Sequence, residues 1–232
     1  MKKKFITQTL TFLLIMLASS VFADDKIEKT YKIADFTKIY LRGSYEVHLR
    51  QTSKCGLTII AKEEYIEKLD VSSSGGELLI ELVGKNYKRT RAIEVYINFK
   101  DLEKLDIEGA VDLQCENQIK TDNLKLEFEG AGNVELNIKT NKIIVIISGV
   151  GNFEIEGETE YHKVQFSGIG NYDAQDLHSK YTIVESNGIG SVKVFASNKI
   201  KGEANGIGSI DYYGDPEDVS IDATGLGSVN RH

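Results

Sequence analysis

Carboxylate and amide side chains recur in this sequence at steps of 18 to 20 residues. The acidic set is Glu135, Glu154 and Asp173, and the amide and hydroxyl set is Asn133, Asn152, Asn171, Ser191, Ser209 and Ser228. If the chain coiled with this period, each set would stack in a column. Stacked carboxylates can bind Ca²⁺ or supply the acid and base of glycoside hydrolysis, and a column of amides can line a groove for a polar ligand.

A motif of two glycines separated by one residue, the second missing from the first copy, recurs with the same spacing. Its seven copies begin with glycines 18 to 21 residues apart, and a period near 20 residues indicates a solenoid. The motif glycines are Gly109, Gly130, Gly132, Gly149, Gly151, Gly168, Gly170, Gly188, Gly190, Gly206, Gly208, Gly225 and Gly227. We interpret them as corners in which positive φ excludes a Cβ atom. The residue after the first glycine is apolar in every copy, and we expect it to fill the corner from inside. These residues are Ala110, Ala131, Val150, Ile169, Ile189, Ile207 and Leu226.

Apolar and polar residues alternate on both sides of the motif, which is typical of strands. Each unit is therefore a strand, a corner, a second strand and a polar turn. One unit cannot bury its apolar side alone, so successive coils must stack and pair their strands in parallel. An up-and-down antiparallel sheet is the alternative, but hairpins do not require like residues at every period. The sequence predicts an all-β protein, a single-stranded parallel β-solenoid with about 19–20 residues per coil, and one helical turn near Lys62–Lys68.

The same architecture is expected to include the N-terminal half. Gly43 precedes Gly109 by a separation that is close to three further periods. We therefore predict one domain over residues 24–232, with a less regular part at 24–100 and regular coils at 101–232.

Residues 1–23 have the features of a secretory signal peptide. Lys2, Lys3 and Lys4 precede the apolar stretch 10–18, and Val21-Phe22-Ala23 provides a cleavage site. An uncleaved membrane anchor is the alternative, but the apolar run is short for a span of about 20 residues. No cysteine lies near the cleavage site to carry a lipid. We predict a mature chain without a transmembrane span, located in the periplasm, on the outer-membrane surface or outside the cell.

Charge and composition exclude some classes of partner. The whole chain has a net charge of −7, and because residues 1–23 contain three lysines and no acid, the remainder has a net charge of −10. Such a chain lacks the basic face that nucleic-acid binding needs. Tryptophan is absent, and a hydrophobic content of 41% suffices for a core. Cys55 and Cys115 are interpreted as unpaired thiols, although an oxidising compartment would also permit a disulfide.

Several segments resemble the GIN-domain family, described as adhesin heads of autotransporters and found mostly in Bacteroidetes envelopes. The segments are Phe36-Thr37-Lys38-Ile39, Gly43-Ser44-Tyr45-Glu46-Val47, Val95-Tyr96-Ile97-Asn98-Phe99, Gly149-Val150-Gly151-Asn152 and Gly168-Ile169-Gly170-Asn171. The resemblance extends from about Ile33 to Val229. It implies a right-handed parallel β-helix of the pectate-lyase-like kind, and it brings no established activity or catalytic residues.

These observations predict no catalytic, cofactor-binding or metal-binding residues. The amide and hydroxyl column is interpreted as a structural ladder. The acidic set is interpreted as a solvated face, because the chain lacks the Gly-Gly-x-Gly-x-Asp pattern of calcium-binding β-rolls. We expect a non-enzymatic extracytoplasmic module, adhesin-like or structural, with an unidentified envelope protein or glycan as partner. A polysaccharide-acting β-helix enzyme is the alternative. The last coil, residues 222–232, has an open strand edge, so self-association through the solenoid ends is a further expectation.

Overall fold

The computed structural model describes residues 26–84 and 93–232, so the predicted signal peptide lies outside the described residues. The strands are β1 (Lys26–Tyr31), β2 (Lys38–Gln51), β3 (Gly56–Lys62), β4 (Leu69–Ser74), β5 (Glu77–Leu82), β6 (Glu94–Phe99), β7 (Lys104–Cys115), β8 (Ile119–Ile147), β9 (Val150–Phe166), β10 (Ile169–Ala174), β11 (Leu177–Ser186), β12 (Ile189–Phe195), β13 (Lys199–Ala204), β14 (Ile207–Tyr213), β15 (Asp218–Ala223) and β16 (Ser228–Arg231). Helix α1 (Glu63–Ile66) is the short turn expected near Lys62–Lys68.

Stacked parallel coils form the body of the molecule, which confirms the predicted β-solenoid. Each coil has one strand segment before the glycine corner and one after it. The segments after the corner pair in the order β2, β7, β8, β9, β10, β12, β14 and β16. The segments before the corner continue from β9 through β11 and β13 to β15. Equivalent residues of successive repeats are direct partners, as Gly130 is of Gly109 and Asn152 is of Asn133.

The N-terminal end differs from the prediction of three further periods. Gly43 pairs directly with Gly109, so β2 forms the coil next to β7 although β3, β4, β5 and β6 intervene in the sequence. The coil on the other side of β2 is made by the later strands β5 and β6. Beyond it, β3 pairs with β6, β1 with β3 and β4 with β5, all antiparallel. The long excursion thus adds one coil beside β2 and covers it with antiparallel strands, instead of adding three regular turns.

A continuous apolar core fills the solenoid. Leu126 and Phe128 before the corner, and Val134 and Leu136 after it, are almost completely buried, as alternation predicts. Each such side chain contributes about 1.5–3 kcal/mol by leaving water. Aromatic rings also pack between coils: Phe128 meets the ring of Phe153 edge-on, with 4.9 Å between centroids.

The corner glycines are required mainly by the close stacking of coils. An ideal Cβ atom on Gly151 would lie 1.6 Å from the carbonyl oxygen of Gly132, and one on Gly190 would lie 1.7 Å from that of Gly170. Positive φ does occur, as at Gly132 with φ 154°. The explanation by positive φ is nevertheless wrong for Gly149, Gly151, Gly168, Gly188, Gly206, Gly225 and Gly227, whose backbones lie outside the left-handed region. At the last coil the restriction weakens, because a Cβ on Gly227 would make only ordinary contacts.

The two cysteines are free thiols, each half-buried. Cys115 Sγ donates to the carbonyl oxygen of Asn117 at 3.1 Å. Burial raises the pKa of the Cys115 thiol above its ordinary value. A thiol with a raised pKa carries little thiolate and is a poor nucleophile at neutral pH.

Candidate functional site

The apolar residue between the corner glycines points out of the solenoid. The prediction that it fills the corner from inside is therefore wrong. Val150, Ile169, Ile189 and Ile207 are between 49% and 53% exposed, and Leu226 is 82% exposed. The reason is the alternation itself: the first glycine of each motif takes an inward position, so the next residue must face outward.

These five residues, which we call the apolar column, stand one above another. Val150 is the direct partner of Ile169, Ile169 of Ile189, and Ile189 of Ile207. Leu226 takes the same place two residues before Ser228, which pairs with Ser209. Strands in a sheet are about 4.8 Å apart, so the column extends for about 19 Å.

The column continues toward the N-terminal end with small residues. Ser44, Ala110 and Ala131 occupy the same position in the three preceding coils. A depression of about 310 Å³ is lined by these three residues, of which Ser44 is itself buried, and we call this depression the hollow. One face of the solenoid therefore has a hollow at one end and an apolar ridge at the other.

An amide ladder follows one side of the apolar column. Asn133 Nδ2 donates to Asp112 Oδ1 at 2.8 Å, Asn152 Nδ2 to Asn133 Oδ1 at 3.2 Å, and Asn171 Nδ2 to Asn152 Oδ1 at 3.0 Å. Serines continue the column, and Ser209 Oγ donates to Asp211 Oδ2 at 2.6 Å. The asparagines of the predicted column are thus hydrogen-bonded along the solenoid axis, whereas this bond of Ser209 stays within its own coil.

A second polar column runs along the other side of the apolar column. Its exposed members, in chain order, are Glu108, Glu129, Ser148, Ser167, Asn187, Asn205 and Thr224. Asn205 Nδ2 donates to Asn187 Oδ1 at 3.1 Å, and Thr224 Oγ1 donates to Asn205 Oδ1. The carboxylates of this column lie beside the hollow, whereas its amides and hydroxyls lie beside the apolar column.

No charged residue lies on the apolar column or its two flanks. This charge-free area, which we call the corner strip, comprises residues 148–152, 167–171, 187–191, 205–209 and 224–228. Charges return at the next outward positions, which carry Glu185 and Glu203 on one side and Glu154 and Asp173 on the other. In a chain with 27% charged residues, such a strip is a distinct surface.

The predicted acidic column is present beyond the amide ladder. Glu135 pairs with Glu154 and Glu154 with Asp173, in register. Lys193 takes the next place, and its Nζ lies 2.9 Å from Asp173 Oδ2. Among residues 26–84 and 93–232, no group of three or more His, Cys, Asp and Glu side chains is placed to hold a metal ion.

A polar groove of about 930 Å³ runs along the corners opposite the glycine motif. Buried hydroxyl groups of Thr140, Thr159 and Ser179 lie along it. Charged side chains on its rim form ion pairs between Lys139 and Glu158 and between Lys180 and Glu160, each at 2.8 Å.

The ionisation of the carboxyl groups bears on the enzyme alternative. The hydrogen bond from Lys139 lowers the pKa of Glu158 in the groove. In the described part of the chain, carboxyl groups whose pKa departs from the ordinary value all depart downward. The general acid of a glycosidase needs the opposite shift, so that it keeps its proton near neutral pH.

Comparison with known proteins identifies the family. Residues 35–216 match the family described as "Putative auto-transporter adhesin, head GIN domain". The chain belongs to this family. The resemblance noted from the corner motifs is thereby confirmed. Among proteins with curated descriptions, none matches the sequence.

Solved structures show the same fold as this GIN-domain chain. A "putative adhesin" from Bacteroides fragilis is 26% identical, with a TM-score of 0.87 over 90% of this chain and 98% of that one. A "putative lipid binding protein" from Parabacteroides distasonis is 23% identical, with a TM-score of 0.70 and the same coverage. A "putative adhesin" from Parabacteroides merdae is 19% identical, with a TM-score of 0.62 over 90% and 97% of the two chains.

The amide ladder of this GIN-domain protein provides a test of its structural role. Asn152→Ala removes the donor to Asn133 and the acceptor for Asn171, and we expect a loss of about 1 kcal/mol in the free energy of unfolding. Ser148→Ala, on the other flank of the same coil, is the control. Urea unfolding measures both variants, and equal stabilities would show that the ladder contributes nothing.

Proposed function

We propose that this GIN-domain protein is a non-enzymatic, extracytoplasmic binding module of the adhesin-like kind, and that the corner strip is its contact surface. The observation that carries the proposal is the exposure of the apolar column, four of whose five members are about half exposed and the fifth more. Aligned apolar side chains on a soluble protein, bordered by polar residues, are typical of an interaction surface.

The fold does not require large apolar residues at these positions. The coils of Ser44, Ala110 and Ala131 form the same corner and keep the same register with small side chains. The larger side chains from Val150 to Leu226 are outward and add little to the core. Their presence is therefore better explained by contact with a partner than by stability.

The family and the predicted signal peptide together favour the cell envelope or its surface as the location. None of the helices in the described residues is long and apolar enough to span a bilayer. The net charge of −10 over residues 24–232 would oppose binding to an anionic leaflet. The partner that fits the corner strip is an uncharged surface with apolar groups, such as part of an envelope protein or a glycan.

A binding screen with a charge placed in the strip tests this proposal. The exported protein is titrated with envelope proteins, envelope glycans and phosphatidylcholine vesicles, and dissociation constants are measured. Ile169→Lys is expected to weaken binding at least tenfold, because a buried unpaired ammonium is costly. Ile27→Lys is the control, since Ile27 is also exposed but lies on β1.

Two results would overturn the proposal. One is binding that survives Ile169→Lys unchanged, which would place the contact surface elsewhere. The other is release of oligosaccharides from a glycan of the screen, which would favour the polysaccharide-acting enzyme.

A further inference from the structure

We propose that the polar groove opposite the glycine motif is a second binding site, and that its ligand is an uncharged linear oligosaccharide. The groove is separate from the corner strip, so this inference goes beyond the proposed function and does not depend on it. A module with both sites holds a glycan at one set of corners and a partner surface at the other.

The floor of the groove is a column of inward hydroxyl residues. Thr140, Thr159 and Ser179 are between 2% and 7% exposed. Thr140 Oγ1 donates to the carbonyl oxygen of Asp122 at 3.0 Å, and Ser179 Oγ donates to that of Phe195 at 2.5 Å. Both carbonyl groups belong to a neighbouring coil, so these hydrogen bonds fix the shape of the floor before any ligand binds.

The rims of the groove are exposed side chains that are paired from coil to coil. On one rim Lys139 Nζ lies 2.8 Å from Glu158 Oε2, and on the other Lys180 Nζ lies 2.8 Å from Glu160 Oε1. An ammonium group has three N–H donors and a carboxylate has about four lone-pair sites, so each keeps hydrogen-bonding capacity beyond its pair. Each rim therefore offers both donors and acceptors, held in positions that need little reordering on binding.

The balance of charge indicates an uncharged ligand. Among the described residues that line the groove are four lysines and four acidic residues, although residues 24–232 together have a net charge of −10. A polyanion needs an excess of cations to replace its counterions, and the groove has no such excess. Sugar hydroxyl groups both donate and accept hydrogen bonds, and they match rims on which donors and acceptors occur together.

The length of the groove favours a chain of sugar residues over a single one. The groove extends over the coils of Thr121, Thr140, Thr159, Ser179 and Ser197. Four intervals of about 4.8 Å between these coils give a length of about 19 Å. The volume of about 930 Å³ is near the upper end of the range of roughly 300–1,000 Å³ that is typical of ligand sites. An extended oligosaccharide fills such a groove, whereas a monosaccharide leaves most of it empty.

An aromatic residue lies toward one end of the groove. Phe195 is half-buried and contributes to the lining, and the ring of His178 meets it edge-on with 4.6 Å between centroids. One face of a sugar ring presents mainly C–H groups, and this face packs on aromatic rings while the hydroxyl groups reach the rims. Of the described lining residues, Phe195 alone has an apolar side chain, so the groove does not suit an acyl chain.

Titration with defined sugars tests the proposal. The exported protein is titrated by calorimetry with hexasaccharides of glucose, mannose, xylose and N-acetylglucosamine, and with the corresponding disaccharides. We expect at least one hexasaccharide to bind with a dissociation constant below about 1 mM. Its disaccharide is expected to bind at least tenfold more weakly, because it contacts only a small part of the groove.

A variant that blocks the groove locates the site. Asn141 is exposed on one rim, where its Nδ2 donates to Asp122 Oδ1 at 3.2 Å. Asn141→Trp places a large side chain in the groove and is expected to weaken hexasaccharide binding at least tenfold, with an unchanged midpoint of urea unfolding. Asn123→Trp is the matched control, since Asn123 is also an exposed asparagine of β8 but does not line the groove. Phe195→Leu keeps an apolar side chain without the ring, and we expect it to weaken binding at least threefold.

The outcomes separate this proposal from the proposed function. The groove is not the site if none of the hexasaccharides binds, or if binding is unchanged in Asn141→Trp. Hexasaccharide binding that is lost in Ile169→Lys and kept in Asn141→Trp would place the glycan on the corner strip instead. Tighter binding of a hexamer of galacturonic acid than of the uncharged sugars would show that the groove selects anions. Conversely, an envelope partner whose binding survives Ile169→Lys would overturn the proposed function and leave the groove as the glycan site.

Discussion

Gly151→Ala is expected to lower the free energy of unfolding by about 3 kcal/mol or more. The backbone of Gly151 lies outside the left-handed region, so alanine itself could adopt it. The Cβ atom, however, would lie 1.6 Å from the carbonyl oxygen of Gly132 in the neighbouring coil. The clash is with backbone, which cannot rotate away, so the two coils must separate and lose hydrogen bonds of the parallel ladder. Overpacking in a well-packed region commonly costs about 1–3 kcal/mol, and a backbone clash belongs at or above the top of that range.

The matched control for Gly151→Ala is Gly56→Ala. Gly56 is also a strand glycine outside the left-handed region, but its added Cβ would come no closer than 3.4 Å to Asn98 Nδ2. We expect a change within about 0.5 kcal/mol there. The midpoints of urea unfolding measure both variants. An equal loss in the two would show that alanine in a strand, and not the spacing of the coils, is the cause.

The solenoid was predictable because the glycine motif recurs in the sequence at nearly constant spacing. Stacked coils require like residues at like positions, and the pairing of Asn152 with Asn133 follows from that rule. The N-terminal topology was not predictable in this way. The pairing of Gly43 with Gly109 depends on an excursion of mixed parallel and antiparallel strands that contains no copy of the motif. The separation of these two glycines in the sequence happens to approximate three periods, and it suggested regular coils instead.

The orientation of the apolar column was available from the sequence but was predicted wrongly. The alternation that buries Phe166 and Tyr172 also puts Ile169 outside, since it stands an odd number of residues from both. The prediction instead assumed that an apolar residue at a corner must be buried, and it did not apply the alternation. The reason why position 151 requires glycine could not be predicted from the sequence, because it depends on the distance between two coils.

His162 is a buried polar residue whose inward position the alternation also indicates. It precedes Val164 and Phe166 by two and four residues, so the alternation puts it inside. The structure buries it completely and places its Nε2 2.8 Å from the hydroxyl oxygen of Tyr172. Its Nδ1 has no hydrogen-bond partner. Burial lowers the pKa of His162 from 6.5 to about 3.

This burial predicts that the protein loses stability between pH 6.5 and pH 3. In this window the unfolded chain binds a proton at His162 and the folded chain does not, so protonation favours unfolding. Each pH unit below 6.5 is expected to cost about 1.4 kcal/mol, and above 6.5 the contribution is constant. Carboxyl groups with a lowered pKa, such as Asp106, add their own loss only near and below their ordinary range around pH 4. The interval from pH 6.5 to 5 therefore isolates histidine.

A pair of variants separates His162 from the other titrating groups. His162→Phe alone removes the pH slope but strands the buried hydroxyl of Tyr172, at a cost of about 1–3 kcal/mol at pH 7. The double variant His162→Phe/Tyr172→Phe removes both polar groups, and Phe153 already occupies the neighbouring place in the Tyr172 column. We expect the double variant to recover the stability lost by the single one. Its advantage over the original protein is expected to be larger at pH 5 than at pH 7 by about 2 kcal/mol, because only the original protein loses stability through His162 below pH 6.5.

Parallel stability profiles for the two proteins between pH 7 and pH 5 would mean that His162 accepts its proton inside the fold. In that case the stability of the double variant would report only how well two phenyl rings pack in place of the hydrogen-bonded pair. A divergence confined to this window would instead identify one buried imidazole as the acid-sensitive point of the solenoid.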